Sequence, residues 1–296
     1  MQKIKFITSI GTVEIDDVNT SSIGGEYRKL WLSDFDGNSQ NLILNTVRCI
    51  GMDGQRTISA VRDTKIITAD ITFTPLYYEN NRLICRGERG MHELRREILR
   101  LFPLGVSGIL EYSNDSGNFQ IGARIDEAPK ITVRDGWLCE CKILFTADYP
   151  YWSKTVVSDS YEVTAGESVT ITSEAYGDME SPVSGIITCI EALGESDSGV
   201  YFALENADGN NAIRFVKPMT EGQQLKFSLE FNNKFEILTR LDEDSEWVNA
   251  YEYLRYSELW QPCRNRAAPT DFKFSVFSDT GKLGIVLNYH NLFTAI

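Results

Sequence analysis

The stretch that decides the fold class is GILEYSNDSGNFQIGARI, residues 108–125. Its second half has an apolar residue at every second position: Phe119, Ile121, Ala123 and Ile125. Side chains two residues apart lie on the same face of a strand, so this period predicts a half-buried β-strand. The turn sequence Asn114–Gly117 joins it to Ile109–Tyr112, and together they predict a β-hairpin.

The same period of two marks other strands in the first half of the chain. One strand has the apolar face Ile67, Ala69, Ile71 and Phe73. Another places Glu140 and Lys142 on one face, and its opposite face carries Trp137, Cys139, Cys141, Ile143 and Phe145. The recurring Thr, Val, Ile, Phe and Tyr also favour β structure.

One segment has helical spacing instead. Between residues 88 and 102 the apolar positions are Met91, Leu94, Ile98 and Leu101. Charged residues fill the opposite side, and Pro103 and Gly105 follow. This pattern predicts a single amphipathic helix at about 88–102 that lies on a sheet.

Near residues 150–160 the strand pattern lapses into polar residues, and we place a domain boundary there. The predicted domains are 1–155 and 156–296. In the second domain, short apolar runs flank turn sequences and predict three hairpins: 202–215 around Asn206–Gly209, 225–237 around Asn232–Asn233, and 272–287 around Asp279–Lys282. Short strands at this spacing predict a β-sandwich.

The net charge of −13 is unevenly distributed. Residues 1–155 hold 19 Lys and Arg against 20 Asp and Glu, and residues 156–296 hold 10 against 22. The second half therefore carries −12 and would repel a phosphate backbone, which disfavours nucleic-acid binding. No apolar run approaches the roughly 18–20 residues that cross a bilayer, so we expect no membrane insertion.

The start of the chain is basic but has no long apolar core, so it does not resemble a secretory signal. We expect synthesis and folding in a cytoplasm. The six cysteines are Cys49, Cys85, Cys139, Cys141, Cys189 and Cys263. They are spread along the chain and fit that compartment as reduced thiols.

A search for catalytic motifs finds little. His92 and His290 are the two histidines; His92 falls on the polar side of the predicted helix, and we expect structural or solvated roles for both. The sequence has no G-x-S-x-G elbow, P-loop, dinucleotide fingerprint or H-E-x-x-H motif. We therefore expect a protein that is not an enzyme, with no catalytic, cofactor-binding or metal-binding residues.

Three other clusters have a structural interpretation as well as a functional one. Cys139 and Cys141 lie on one strand face and are expected to be core thiols, since C-x-C is not the usual zinc knuckle. The acidic run Asp242–Glu246 lacks the pattern of an EF-hand and is expected to be a solvated loop. Aromatic residues that are either core residues or sugar-stacking residues are Trp247, Tyr251, Tyr253, Tyr256 and Trp260.

An ordered series of motifs resembles the siphophage distal tail protein family, which occurs in long-tailed phages and prophages. The series in the first half is Gly51–Gly54, the strand Ile66–Phe73, the helix segment Leu94–Leu101, the hairpin from Gly108 to Gly117, and Phe145–Trp152. In the last of these, Ala147 and Tyr149 replace residues that the family usually has as Cys and Pro. In the second half, Gly177-Asp178, Ser181-Pro182 and the closing Leu287–Ile296 also resemble the family.

This resemblance implies an all-β protein with one amphipathic helix. The N-terminal β-sandwich or split-barrel domain would form a homo-hexameric hub ring that joins the tail tube to tail-tip proteins. The C-terminal galectin-like β-sandwich would project outward and support receptor-binding or other baseplate proteins. The location would be the tip of the virion tail, after synthesis in the cytoplasm of the bacterial host.

Two alternatives stay open at this point. The second domain would act as a host-surface carbohydrate-binding module if exposed aromatics such as Trp247 and Trp260 stacked on glycans. The chain would be a cell-wall hydrolase if two of its 42 acidic residues formed a catalytic pair. No motif distinguishes such a pair from the other carboxylates.

Overall fold

The computed structural model describes residues 2–17, 30–47, 56–79, 82–85, 87–135, 138–154, 157–173, 177–206, 212–228, 236–255, 263–264 and 269–296. Several features discussed above lie outside the described residues: Cys49, Gly51–Gly54, Trp137, residues 207–209, Asn232–Asn233, Tyr256 and Trp260.

The chain forms two compact units. Unit 1 consists of Met1–Lys154 together with Thr294–Ile296, and unit 2 consists of Thr155–Phe293. Unit 2 is therefore an insertion near the end of unit 1. The sequence analysis assigned the last three residues to the second domain, whereas the structure places them in unit 1.

Unit 1 contains strands and one described α-helix in this order: β1 (Lys3–Thr8), β2 (Gly11–Asp16), β3 (Leu30–Asp36), β4 (Gln40–Val47), β5 (Arg56–Phe73), β6 (Leu76–Glu79), β7 (Arg82–Cys85), α1 (Gly87–Leu101), β8 (Ser107–Asn114), β9 (Gly117–Arg124), β10 (Lys130–Asp135), β11 (Leu138–Ala147) and β12 (Trp152–Ser153).

The large sheet of unit 1 has the strand order β2-β1-β8-β9-β11-β5-β3, with β10 beside β11 and β4 beside β5. The predicted hairpin is β8–β9, paired from Ser107↔Arg124 to Asn114↔Gly117. The centre of the sheet is the antiparallel ladder between β11 and β5, which runs from Cys139↔Phe73 to Ala147↔Lys65.

The core of unit 1 lies between this sheet and helix α1. The predicted inward residues of β5, from Ile67 to Phe73, are all 0% exposed. Helix α1 buries Met91, Leu94 and Ile98 and leaves His92 exposed, as the helical spacing predicted. The phenyl ring of Phe145 makes edge contacts with Phe6 and Phe102, which join the sheet to the end of the helix.

Cys139 and Cys141 are fully buried in this core, which confirms their interpretation as core thiols. The Sγ atom of Cys139 lies 3.1 Å from the Sδ atom of Met91 on the helix. Burial raises the pKa of Cys139, and it raises the pKa of Cys141 to about 12. A thiol in an apolar core stays protonated because the thiolate would lose its hydration.

Unit 2 contains strands and one described 3-10 helix in this order: β13 (Val157–Thr164), β14 (Ser168–Ser173), β15 (Ser181–Glu191), β16 (Phe202–Asn206), β17 (Ala212–Phe215), β18 (Gln224–Ser228), β19 (Glu236–Arg240), β20 (Val248–Asn249), the 3-10 turn Tyr251–Tyr253, β21 (Cys263–Arg264), β22 (Thr270–Val276), β23 (Lys282–Tyr289) and β24 (Leu292–Phe293).

Strands β13–β20, β22 and β23 form a β-sandwich. One sheet has the order β13-β23-β15-β18-β19-β20, and the other has the order β14-β22-β16-β17. Inward residues of both sheets build one apolar core that includes Phe202, Phe227, Phe274 and Ile285. The expected all-β class with one helix is confirmed, and no described helix is long and apolar enough to cross a membrane.

One predicted hairpin is wrong. The strands around Asp279–Lys282 do not pair with each other, because β22 pairs with β14 and β16 whereas β23 pairs with β13 and β15. The segment between them crosses from one sheet to the other. Gly281 has φ +109°, and a Cβ atom there would lie 2.6 Å from the backbone oxygen of Ala192. The turn residues thus mark a tight crossing, which local sequence cannot distinguish from a hairpin.

The hairpin at the centre of the sequence argument offers a packing test. A Cβ atom at Gly108 would lie 2.2 Å from the backbone oxygen of Ile7 on β1, whereas one at Gly122 meets nothing within 4 Å. Gly108→Ala should lower the free energy of unfolding of unit 1 by about 1–3 kcal/mol through overpacking. Gly122→Ala, the matched control, should be neutral or stabilising. Urea unfolding followed by tryptophan fluorescence measures both, and equal effects would contradict the close approach of β1 to β8.

The buried thiols offer a chemical test. With a pKa of about 12, Cys141 should react with a thiol reagent at pH 8 roughly a thousandfold more slowly than an ordinary exposed thiol. Thr132→Cys, on the exposed face of the same sheet, supplies that comparison. Mass spectrometry of the labelled peptides reads out each site. Modification of Cys141 in the folded protein at the rate of the introduced thiol would rule out its burial.

Candidate interaction surface

The outward face of β3, β5, β10 and β11 carries a row of charged side chains. Strand pairing sets Lys130 opposite Lys142, Lys142 opposite Asp70, and Asp70 opposite Asp34. Because side chains alternate along a strand, this charged row lies behind the buried row that contains Cys141 and Ile71.

These strands enclose an open groove with a volume of about 480 Å³. Its lining residues are Ser33, Asp34, Asp70, Lys130, Thr132, Arg134, Glu140 and Lys142. All three basic residues are on β10 and β11, whereas two of the three acids are on β3 and β5. The groove is therefore electrically neutral overall but has a basic side and an acidic side.

Some of these charges are paired within the chain. The Nε atom of Arg134 lies 2.8 Å from Oε1 of Glu140, and the Nζ atom of Lys130 lies 3.3 Å from Oε2 of Glu127. Both pairs are solvent-exposed, and such pairs contribute little to stability. Lys142, Asp70 and Asp34 form no salt bridge within the described ranges. Their charges stay available to a partner.

Strand β10 forms one wall of this surface and is an edge strand. In the part of the chain that the structure describes, it pairs with β11 alone. Val133 on its apolar face is 48% exposed although it lies opposite buried Cys139. An edge with open backbone groups and an exposed apolar side chain is a feature of protein–protein contact sites.

The groove contains neither a histidine nor a cysteine, since Cys139 and Cys141 lie on the opposite, buried face. Among the described residues, no group of three or more His, Cys, Asp or Glu side chains could hold a metal ion. The arrangement of fixed charges beside an open edge suits binding of another protein.

The described members of the predicted aromatic group, Trp247, Tyr251 and Tyr253, have structural contacts. The guanidinium of Arg240 lies 4.6 Å from the ring centre of Trp247 and covers that face of the indole. Tyr253 is buried, and its hydroxyl accepts a hydrogen bond of 2.8 Å from Nε2 of Gln223. Tyr251 packs against the sandwich core. These residues do not form an exposed row of aromatic rings.

The acidic run Asp242–Glu246 connects β19 to β20. Its carboxylates are exposed, which confirms the predicted solvated loop. Oδ1 of Asp242 accepts hydrogen bonds from the Ser245 hydroxyl at 2.6 Å and from the Asp244 amide at 3.1 Å. The Ser245 hydroxyl, above all, lowers the pKa of Asp242. The side chain of Asp242 therefore organises the turn.

Sequence reasoning identified only part of the surface. It placed Glu140 and Lys142 on the face opposite the cysteines, but it did not bring them together with Asp34, Asp70 or the residues of β10. Period-two alternation on β5 was a usable signal for Asp70. Only the pairing of β3 and β10 with the central strands, which the sequence does not encode locally, brings the charges together.

Comparison with known proteins gives a result at the level of structure alone. No family model matches the sequence, and no curated protein is similar to it. The Dit protein of phage SPP1, described as a paradigm of the hub adsorption apparatus in phages that infect Gram-positive hosts, has a similar structure. The TM-score is 0.65 at 10% sequence identity, and the match covers 99% of this chain and 99% of that chain.

Chains from the phage P2 baseplate in its activated conformation also match, one with Ca and one with Sr. Their TM-scores are 0.45 and 0.44 at 10% identity, with 97% of this chain covered in each case. The likeness to SPP1 Dit is the informative one, and it extends through both units. Along almost its whole length, the chain has the fold of the SPP1 Dit protein.

Proposed function

We propose that this protein is a structural hub component of a phage or prophage tail tip, a member of the siphophage distal tail protein family. The observation that carries the proposal is the match to SPP1 Dit over 99% of both chains. A match that covers both units in the same chain order points to one family more specifically than a β-sandwich alone would. β-Sandwiches occur in many unrelated proteins. The ordered sequence motifs from Ile66 to Trp152 support it independently.

In this proposal unit 1 forms the ring. Copies related by rotation meet through two different surfaces, and such contacts close into rings. The groove suits one of these surfaces, because a basic side and an acidic side together favour a neighbour with the reverse arrangement. The near-neutral first half of the chain also packs against its own copies with less repulsion than the second half, which carries −12. Six copies are expected from the family resemblance.

The same proposal makes unit 2 an outward platform for receptor-binding or other baseplate proteins. Its high negative charge favours partners with basic surfaces and opposes close packing of one unit 2 on another. The tail tube and the tail-tip proteins would be the other partners, and the location would be the tip of the virion tail. We propose no catalytic role, in keeping with the fold shared with a hub protein.

A carbohydrate-binding role for unit 2 has less support. Arg240 already occupies one face of Trp247, and Tyr253 lies in the core. A flat sugar ring needs an uncovered aromatic face for stacking. Cell-wall hydrolysis likewise has no support from the described groove, because Glu140 is engaged there in an ion pair with Arg134.

Ring formation can be tested with the protein co-expressed with the tail-tube protein from the same phage genome. The wild-type chain should form hexameric rings, visible by electron microscopy and measurable by mass photometry. Lys142→Glu would place a third negative charge beside Asp70 and Asp34 and should weaken assembly by about tenfold or more.

The matched control is Lys273→Glu, which makes the same change at an exposed position on β22 of unit 2. It should assemble like the wild type. Monomers alone for the wild type in the presence of the tail-tube protein would refute the hub proposal. Rings that tolerate Lys142→Glu would leave the hub proposal standing and move the contact away from the groove.

A further inference from the structure

The last three residues of the sequence belong to unit 1, although they follow unit 2 along the chain. Residues between 155 and 293 belong to unit 2, and Thr294–Ile296 belong again to unit 1. Three residues would contribute little by hydrophobic burial. Their hydrogen bonds described below reach two places in unit 1. One is Lys65 on β5, and the other is the segment between β3 and β4.

The first contact is with a buried lysine. Lys65 is 0% exposed, and its Nζ atom donates a hydrogen bond of 2.6 Å to the backbone oxygen of Thr294. An ammonium group inside a protein needs acceptors because it has lost its water. The returning chain supplies one of them. We therefore expect the contributions of Lys65 and Thr294 to the free energy of unfolding to depend on each other.

Lys65 occupies a particular place on β5. It is the last residue of β5 in the ladder with β11, where it lies opposite Ala147. It is also the first residue in the ladder with β4, where it lies opposite Gln40. Residues Arg56–Lys65 and Gln40–Val47 thus form a two-stranded extension that begins at Lys65.

The second contact is with the segment that leads into β4. The amide of Ile296 donates to Oδ1 of Asn38 at 2.9 Å, and Nδ2 of Asn38 donates to the oxygen of Ile296 at 3.3 Å. The Cδ1 atom of Ile296 also packs on Gly37, where an added Cβ atom would lie only 3.1 Å from it. The oxygen of Gly37 accepts a hydrogen bond of 2.9 Å from Nε1 of buried Trp152.

Thr294 therefore contacts Lys65 of β5, and Ile296 contacts Asn38 just before β4. Both contacts lie at the end of the extension that adjoins the main sheet. We propose that Thr294–Ile296 is a latch that fixes the β4–β5 extension to the body of unit 1. The latch is a conformational device that goes beyond the proposed hub role and does not depend on it.

The latch is tested by a double-mutant cycle on the full chain. The four proteins are the wild type, a deletion of Thr294–Ile296, Lys65→Met, and the combination. Lys65→Met should destabilise the wild type, because it removes the donor to Thr294. In the deleted chain the same substitution should cost less, because the hydrogen bond from Lys65 to Thr294 is already absent there. Urea unfolding measures the coupling.

Hydrogen exchange with peptide mass spectrometry locates the effect. Deletion of the latch should raise the exchange rates of amides in 40–47 and 56–65 by about tenfold or more, because opening at the base exposes both strands. The β8–β9 hairpin, Ser107–Arg124, is the internal control and should exchange as in the wild type. Lys142→Met, on the exposed face of the same sheet, is the control substitution and should be additive with the deletion.

Additive effects of the deletion and Lys65→Met would overturn the latch, as would unchanged exchange in the extension. If the deleted chain does not fold, Asn38→Ala carries the test, because it removes both side-chain hydrogen bonds to Ile296 and keeps the chain length. Faster exchange confined to the extension supports the latch in that variant. Exchange equal to the wild type there refutes it.

Discussion

The ladder between β11 and β5 is the constraint on which the rest of unit 1 depends. Its register, Cys141 opposite Ile71 and Lys142 opposite Asp70, assigns every side chain of both strands to one of two faces. One face receives helix α1 and the buried thiols, and the other carries the charged groove. A slip of one residue would exchange the faces, burying Lys142 and Asp70 and exposing the core. Core packing therefore positions the groove charges as strictly as it positions the core itself.

Much of this arrangement follows from short-range patterns in the sequence. The alternation from Ile67 to Phe73 gave the correct inward face, and the helical spacing from Met91 to Ile98 gave the correct buried stripe. Such patterns report which residues avoid water, because burial of apolar area dominates the energy of each element. They report nothing about which strands become neighbours. For that reason the pairing of β10 with β11 and of β3 with β5 had to come from the structure.

The wrongly predicted hairpin around Asp279–Lys282 has a physical cause. The segment Asp279–Lys282 has the composition of a hairpin turn, yet it joins strands of opposite sheets. A tight reversal requires the same small and polar residues whether the next strand pairs in the same sheet or in the facing one. Lys65, for which the sequence analysis made no prediction, shows the same limit of local patterns, since this charged residue type is fully buried here. Its acceptor lies 229 residues further along the chain, far beyond any local signal.

The match to SPP1 Dit at 10% identity, without any match to a family model, has a related explanation. A sheet register needs apolar residues at alternate positions, and Ile, Val, Phe, Leu or Cys can each meet that need. Identities at inward positions can therefore change while the fold persists. Outward positions are not constrained by the core at all, so the charges of the groove are free to differ between proteins of one fold. Partner choice must be sought at such positions, and likeness of fold alone cannot transfer it.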